Sequence, residues 1–442
     1  MYYVYKGFAL KKKVLVLCHD IVGKNMAGPG MRYSRVAEIL SKKFDVTLAV
    51  FSEANKGADN IVVLDPEGEA YKAAFDATDF IFAQWLSDPM IAYAKSRGKA
   101  IIFDLYAPVP IEYLASLEFS TRPIGPEKDE EFQAIIAMYN RYFTQGDVFT
   151  CSNERQRDFW TGYVTANGLF KPSNFSQKKL LDNFLICPMG TSVGPKPKKL
   201  LLREKLGLAK DDFVLIWTGG IWDWFDGRLV VQAMSLIKDP KVKLVFLGTK
   251  HPNSIYTDEM SETVATRKLA ADLGLTDKTV FFLDGWIPYE ERTAYFMDGD
   301  AAIYADKESL ETRFSHRTRV LDHFWMELPT ICSAGDYMSE IIDRKGLGVV
   351  VPERAPQAFA DAITSLKNDS ARYNRLRKNL HNHKGEFTWE KTLQPLVDCL
   401  ASLPAPTPAA AATPAAPAAP RPTPYSLKQR IKRSAKMLLL GR

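Results

Sequence analysis

FVLIWTGG, residues 213–220, decides the fold. A run of strand-forming residues ends in two glycines, and it restarts a pattern that the first part of the chain has already run. The restart continues through VKLVFLG (242–248), TVFFLDG (279–285), AAIYA (301–305), LPTICSA (328–334) and GVVVP (348–352). The earlier series consists of KKVLVLCHD (12–20), DVTLAVF (45–51), NIVVL (60–64), FIFAQ (80–84), AIIFDLY (100–106) and DVFTCS (147–152). Between the first two runs, MRYSRVAEILSK (31–42) places Val36, Ile39 and Leu40 at helical spacing. Apolar strands separated by helical stretches predict parallel sheets covered on both faces. The fold class is therefore α/β, with two doubly wound Rossmann-like domains, residues 1–192 and 193–387. PMGTSVGPKPKK (188–199) reads as the turn-rich link between them. Each domain should present a ligand edge at the C-terminal ends of its strands, so the cleft between them is the expected site.

A chain of 442 residues that is 46% hydrophobic can bury two such cores. No apolar run reaches the ~18 residues of a membrane span. MYYVYKGFALKKK, at the start, lacks the apolar stretch of a signal peptide. The five cysteines are scattered without a CxxC pair, which suggests neither a disulfide framework nor a zinc site. The expected location is the cytoplasm. The net charge of +6 is concentrated at the end: from Arg421 onward there are seven basic residues and no acid. Subtracting them leaves about −1 for the rest, which argues against a nucleic-acid-binding body.

Residues 388–403, TWEKTLQPLVDCLASL, have helical periodicity and close the globular part. PAPTPAAAATPAAPAAPRPTP (404–424) is an Ala/Pro-rich linker, an extended and semi-rigid spacer. YSLKQRIKRSAKMLLLGR (425–442) sets Leu427, Ile431, Ala435 and Leu438 at i, i+4 spacing among basic residues. It reads as a basic amphipathic helix suited to an anionic membrane surface or a membrane complex, which would make the protein peripheral.

Three stretches could carry chemistry. In AGPGM (27–31), Gly28 and Gly30 follow the first strand and precede a helix, where backbone N–H groups can meet an anion; Gly-Pro-Gly is also commonly just a turn. TGGIWDWFD (218–226) gathers Gly219, Gly220 and Trp222 at the end of another strand. Such bulk in a loop suggests a ring to hold or a domain to meet; a hydrophobic plug over the sheet edge is the alternative. ESLETRFSHRTRVLDHFWMELP (308–329) brings Arg313, Arg317 and Arg319 beside Glu311 and Asp322. Arginine forks suit phosphate oxygens and carboxylates suit vicinal hydroxyls, against the alternative of a solvated helix face. Asp298-Gly299-Asp300 has a DxD spacing but ends a helix and starts a strand, so it reads as a turn. His316/His323 and His381/His383 lack further ligand types nearby and read as core or surface residues.

Over residues 12–402 these motifs resemble the retaining glycosyltransferases of family 4, which have the GT-B fold. The Gly-rich loop at Ala27–Gly30 and the glycine loop at Thr218–Gly220 match. So does the block of the form E-x7-E, then Leu-Pro, a strand and G-G-x-x-E, here Leu328-Pro329 and Ser333-Ala334-Gly335-Asp336 with Glu340. The resemblance places Asp322 on the second acid, which holds the ribose hydroxyls of the donor nucleotide. The first acid would stand at Phe314; Glu311 is the nearest acid upstream. Arg317, Arg319 or Lys250, in GTKHPN, would supply the phosphate charge. WDWFD, GTKHPN and ETRFSHRTRVLD resemble a subgroup associated with bacterial polysaccharide assembly.

The resemblance implies transfer of a sugar from a nucleoside diphosphate sugar to a glycan or lipid-linked acceptor, with retention. Neither a cofactor nor an obligatory metal is implied, and the acceptor would bind mainly to the N-terminal domain. A sugar-nucleotide 2-epimerase of the same fold and a non-catalytic membrane-assembly scaffold are the alternatives.

Overall fold

The computed structural model describes residues 11–24, 26–65, 68–119, 124–169, 172, 176, 182–191, 197–248, 260–285, 287–288 and 291–404. The expected linker beyond residue 404, the basic tail and Lys250 lie outside the described residues.

The first sheet is built on β1 (Lys13–Cys18), β2 (Asp45–Val50), β3 (Val62–Val63), β4 (Phe80–Ala83), β5 (Ala100–Asp104), β6 (Val148–Cys151) and β7 (Phe184–Ile186). Its order is β3-β2-β1-β4-β5-β6-β7, and every pairing is parallel. β1 is central, with Val14 opposite Val46 on one side and Phe80 on the other. Strands covered on both faces can be apolar throughout, which is why VLVLC of β1 is buried without alternation. The helices that matter for the site are α1 (Gly28–Ser41), α2 (Val109–Glu118), α3 (Glu127–Gln145) and α4 (Glu154–Ala166). The expected helix over 31–42 starts three residues earlier. Proline, which lacks an N–H and has a pre-set φ, is well placed in a first turn, so Pro29 opens α1.

The second sheet holds β8 (Phe213–Thr218), β9 (Val242–Leu247), β10 (Val280–Leu283), β11 (Ala301–Tyr304), β12 (Thr330–Ser333) and β13 (Gly348–Val351). Its order is β10-β9-β8-β11-β12-β13, again parallel. α5 (Gly227–Leu236), α6 (Leu310–Phe314), α7 (Arg319–Trp325) and α8 (Tyr337–Lys345) follow strands of this sheet. Leu215, Ile303 and Ile331 have no exposed surface.

In each sheet the chain winds outward from the first strand and then returns to its other side. The strand order thus reverses between β1 and β4, and again between β8 and β11. Crevices open beyond the C-terminal ends of strands at such points. They lie beside the loops that contain Gly28 and Gly219.

The closing segment is two helices, α9 (Trp389–Thr392) and α10 (Gln394–Ser402). Pro395 in the first turn of α10 cannot continue the preceding turn, so the expected single helix breaks at Leu393. This segment returns to the first sheet. Lys12 Nζ donates to the carbonyls of Leu400 (3.0 Å), Ala401 (2.7 Å) and Leu403, a cation on the carbonyl end of α10. No helix among the described residues is long and apolar enough to cross a membrane.

Candidate functional site

A cavity of about 420 Å³ has walls from both sheets' C-terminal loops. Gly28, Gly219, Gly220, Trp222, Glu311, Arg317, Arg319 and Asp322 all line it, from three separated stretches of sequence.

On the N-terminal side, α1 begins at Gly28. Its N-cap, Ala27, is extended and has no side-chain cap, and the first turn has no acid. The positive end of the helix therefore reaches the cavity without a capping side chain or a first-turn acid, which suits an anion. A Cβ at Gly28 would meet nothing within 4 Å, so open space lies there. Gly30 has a different duty. A Cβ there would collide with the Ile21 carbonyl oxygen, and the residue is not in the cavity wall. It allows the close approach of the Ile21 backbone.

On the C-terminal side, Gly219 takes φ +77, the left-handed conformation that turns the chain after β8. The Gly220 carbonyl accepts a hydrogen bond from Arg319 Nη2 at 2.8 Å. The Arg319 guanidinium lies 4.0 Å from the Phe225 ring centroid and 5.6 Å from that of Trp217. Its Nη1 is buried and has no hydrogen-bond partner among the described residues. Burial, and then the neighbouring Arg317, push Arg319 down to about 9, so it remains a cation at neutral pH but an under-compensated one. Trp222 lies flat on Trp224, with ring centroids 5.6 Å apart and planes 6° apart.

Arg317 is the opposite case. Its Nη1 and Nη2 donate to the two carboxylate oxygens of Glu311 at 2.8 and 2.7 Å, and Nη2 pairs with Asp306 at 2.8 Å. All three side chains are buried. Burial pushes the Asp306 carboxyl well above its ordinary range, against the opposing charge of Arg317. The same arginine opposes the rise that burial gives Asp336, which caps α8 and accepts a hydrogen bond from the Tyr304 hydroxyl at 2.9 Å. The Arg317 fork is thus occupied by carboxylates, and Glu311 is its clamp. Phe314, at the first-acid position of the resemblance, packs on Phe159 of α4 with ring centroids 5.2 Å apart.

Asp322 reaches the cavity from the first turn of α7 and pairs with Arg292 at 3.0 Å. Gly335 and Glu340 are not brought to the cavity; both are exposed. The Arg155 guanidinium of α4 binds Glu340 and donates to the carbonyls of Gly335 (3.1 Å) and Arg313 (2.9 Å). Neighbouring residues of α4 continue this seam between the two domains. Glu154 accepts from the Tyr337 hydroxyl at 2.8 Å, and Gln156 donates to the Phe314 carbonyl at 3.0 Å. Asp298 and Asp300 are taken by the Arg203 backbone and side chain and by the Val214 N–H, at 2.7–2.8 Å.

Sequence reasoning missed several wall residues. His316, read there as a core or surface residue, lines the cavity; both ring nitrogens are buried without hydrogen-bond partners among the described residues, and burial followed by Arg32 lowers it to about 3, so it is neutral. Its neighbour His323 is a core residue, with Thr218 Oγ1 at 2.7 Å. Arg292, Tyr106 and Glu112 also line the cavity, and nothing in their local sequence marks them.

Residues 199–383 match the family model described as "Glycosyl transferases group 1". No curated protein matches the chain. Among solved structures, sucrose-phosphate synthase from Thermosynechococcus elongatus is similar at TM-score 0.65 and 15% identity, over 88% of this chain and 98% of that one. HepE from Anabaena, solved with UDP and glucose, is similar at TM-score 0.61 and 14% identity, over 89% of this chain and 100% of that one. WaaG, a glycosyltransferase involved in lipopolysaccharide biosynthesis, gives TM-score 0.57 and 12% identity, over 88% and 99%. At such identities the likeness establishes the fold. The chain has the GT-B fold, two Rossmann-like domains with a cavity between their loops, and its second sheet lies in a stretch that matches the group 1 glycosyl transferases.

Proposed function

We propose that this chain is a glycosyltransferase that uses a nucleoside diphosphate sugar as donor. One observation carries the reading: Arg319 is half-buried in the cavity wall with its buried Nη1 unpartnered among the described residues, beside the Gly219–Gly220 loop, in a cavity onto which the uncapped end of α1 also opens. An under-compensated cation and a helix N-terminus in one cavity suit a diphosphate. Stabilising the charge that develops on a leaving diphosphate is then the main catalytic effect.

In this reading Arg319 and the Gly28 end of α1 hold the diphosphate, and Trp222 and Asp322 bound the nucleoside. Arg317 and Glu311 shape the floor as a mutually neutralising pair. The acceptor hydroxyl oxygen bonds to the anomeric carbon as the bond to the diphosphate breaks. The hydroxyl proton passes to a diphosphate oxygen on the same face, which gives retention without a resident metal or an enzyme base. The acceptor is a glycan or a lipid-linked glycan of a bacterial surface polysaccharide, reached from the membrane through residues 425–442.

Incubation with a panel of labelled nucleotide sugars tests the reading. Transfer or slow donor hydrolysis that persists in EDTA is expected. Epimerised nucleotide sugar without transfer, or no binding of any nucleotide by calorimetry, would overturn it.

A further inference from the structure

Across the cavity from the arginines, the N-terminal domain presents one carboxyl that the fold does not use. Glu112 stands in the first turn of α2 and lines the cavity, and none of the described residues forms a hydrogen bond with its side chain. The other wall carboxylates have partners: Glu311 has Arg317, Asp322 has Arg292, and Asp20 accepts the Ile21 N–H at 2.8 Å. Helix α2 packs against α6, so Glu112 faces the Glu311–Arg317 clamp from the opposite domain.

We propose that Glu112 is the residue of the N-terminal domain that grips a hydroxyl of the acceptor and holds it against the donor. The inference rests on the glycosyltransferase reading and adds to it the group that positions the second substrate.

The chemistry of the surroundings selects a neutral hydroxyl. Burial, and then the charge of Glu311, push Glu112 up to about 8, with Arg317 opposing. The groups that face it are Glu311 and Arg317 from the C-terminal domain, Tyr106 at the end of β5 and Tyr139 on α3. Both tyrosine hydroxyls are held neutral by burial. His316, also in the wall, is neutral, and its two nitrogens have no hydrogen-bond partner among the described residues. Lys307, between β11 and α6, meets the far end of α2, its ammonium 4.9 Å from the centroid of the Phe119 ring. Glu112 is therefore a carboxylic acid at neutral pH, able to donate and to accept, as a sugar hydroxyl requires. It takes no proton in the reaction. The acceptor hydroxyl that attacks the anomeric carbon still gives its proton to the departing diphosphate.

The test uses the full chain and two readouts. Calorimetry with UDP reports the donor side. Donor turnover from UDP-hexoses, stimulated by octyl glycosides as acceptor probes, reports the acceptor side. Glu112→Ala is expected to raise the KM for the glycoside about 3- to 10-fold, as loss of a neutral hydrogen bond does, with UDP affinity within about twofold. In the wild type, that KM rises as pH passes about 8, because the ionised carboxylate no longer donates and repels Glu311. Glu112→Gln, which cannot ionise, keeps a low KM and removes the alkaline rise. An unchanged KM in Glu112→Ala, an alkaline rise that survives in Glu112→Gln, or UDP binding without any stimulation by glycosides each overturns the proposal while leaving the donor reading intact. Absence of binding of any nucleoside diphosphate by the wild type removes both.

Discussion

Asp322 accepts a charged hydrogen bond from Arg292 at 3.0 Å in the wall of the cavity. The pair joins the first turn of α7 to a segment thirty residues earlier in the chain. Asp322 lies on α7 and Arg292 opens the helix Arg292–Phe296, so the carboxylate is held in place before any ligand arrives. Pre-organisation of this kind lowers the entropy cost of binding a ligand.

If Asp322 holds the ribose, Asp322→Asn should weaken donor binding roughly 10- to 100-fold, the cost of losing a hydrogen bond to a charged group. Calorimetry with the nucleoside diphosphate reads the loss, and thermal unfolding checks that the protein stays folded. Affinity equal to the wild type would remove Asp322 from the donor site.

Arg317 and Arg319 should separate by phenotype. Arg317→Ala leaves Glu311 and Asp306 buried without their cation, and removing one partner of a buried pair costs about 3–5 kcal/mol. A large fall in thermal stability is expected. Arg319→Ala removes a cation that lacks a carboxylate partner, so stability should change little while donor affinity and turnover fall. Arg319→Lys keeps charge but loses the fork that reaches both Gly220 and an anion, so turnover should stay impaired. The reverse pattern, with Arg319→Ala unstable and Arg317→Ala weak in donor binding, would exchange the two assignments.

Arg155 should act as a fastener between the domains. It ties α4 to the 313 and 335–340 segments, but its partner Glu340 is exposed, and such pairs contribute only about 0.2–1 kcal/mol. Arg155→Ala is expected to leave the melting temperature nearly unchanged and to speed amide hydrogen exchange at 335–340. Unaltered exchange there would mean that the remaining contacts of α4 hold the seam without it.

The basic tail gives a prediction independent of the site. Residues 425–442 should bind anionic vesicles, with about 1 kcal/mol from each basic residue near the surface. Removal of residues 404–442 should abolish co-sedimentation with anionic liposomes at low salt and leave turnover of a soluble acceptor analogue unchanged. Equal co-sedimentation of full-length and truncated protein would rule the membrane role out.

The sheets were legible because strand signals are local. Runs such as VLVLC in β1 and FVLIW in β8 are apolar throughout, as suits a strand covered on both faces, and the glycine that follows Thr218 marks where β8 ends. β7, Phe184–Ile186, escaped notice because three residues carry too little periodicity. The break at Leu393 was written in Pro395 but overridden by the helical spacing around it.

The site was legible only as composition. The sequence determined that arginines and carboxylates crowd residues 308–329 and that glycines follow the first strand of each domain. It could not determine which arginine is spent on a carboxylate and which is left for a ligand, because that depends on side-chain directions after folding. Asp306 and Glu311 close on Arg317 but not on Arg319, two residues on. Nor could it mark Glu112 or His316, ordinary residues in their own segments, which gain their character from being brought to one cavity wall. Strand periodicity is fixed within a few residues, whereas the partner, burial and protonation of a charged group are set by atoms that the chain brings together only when it folds.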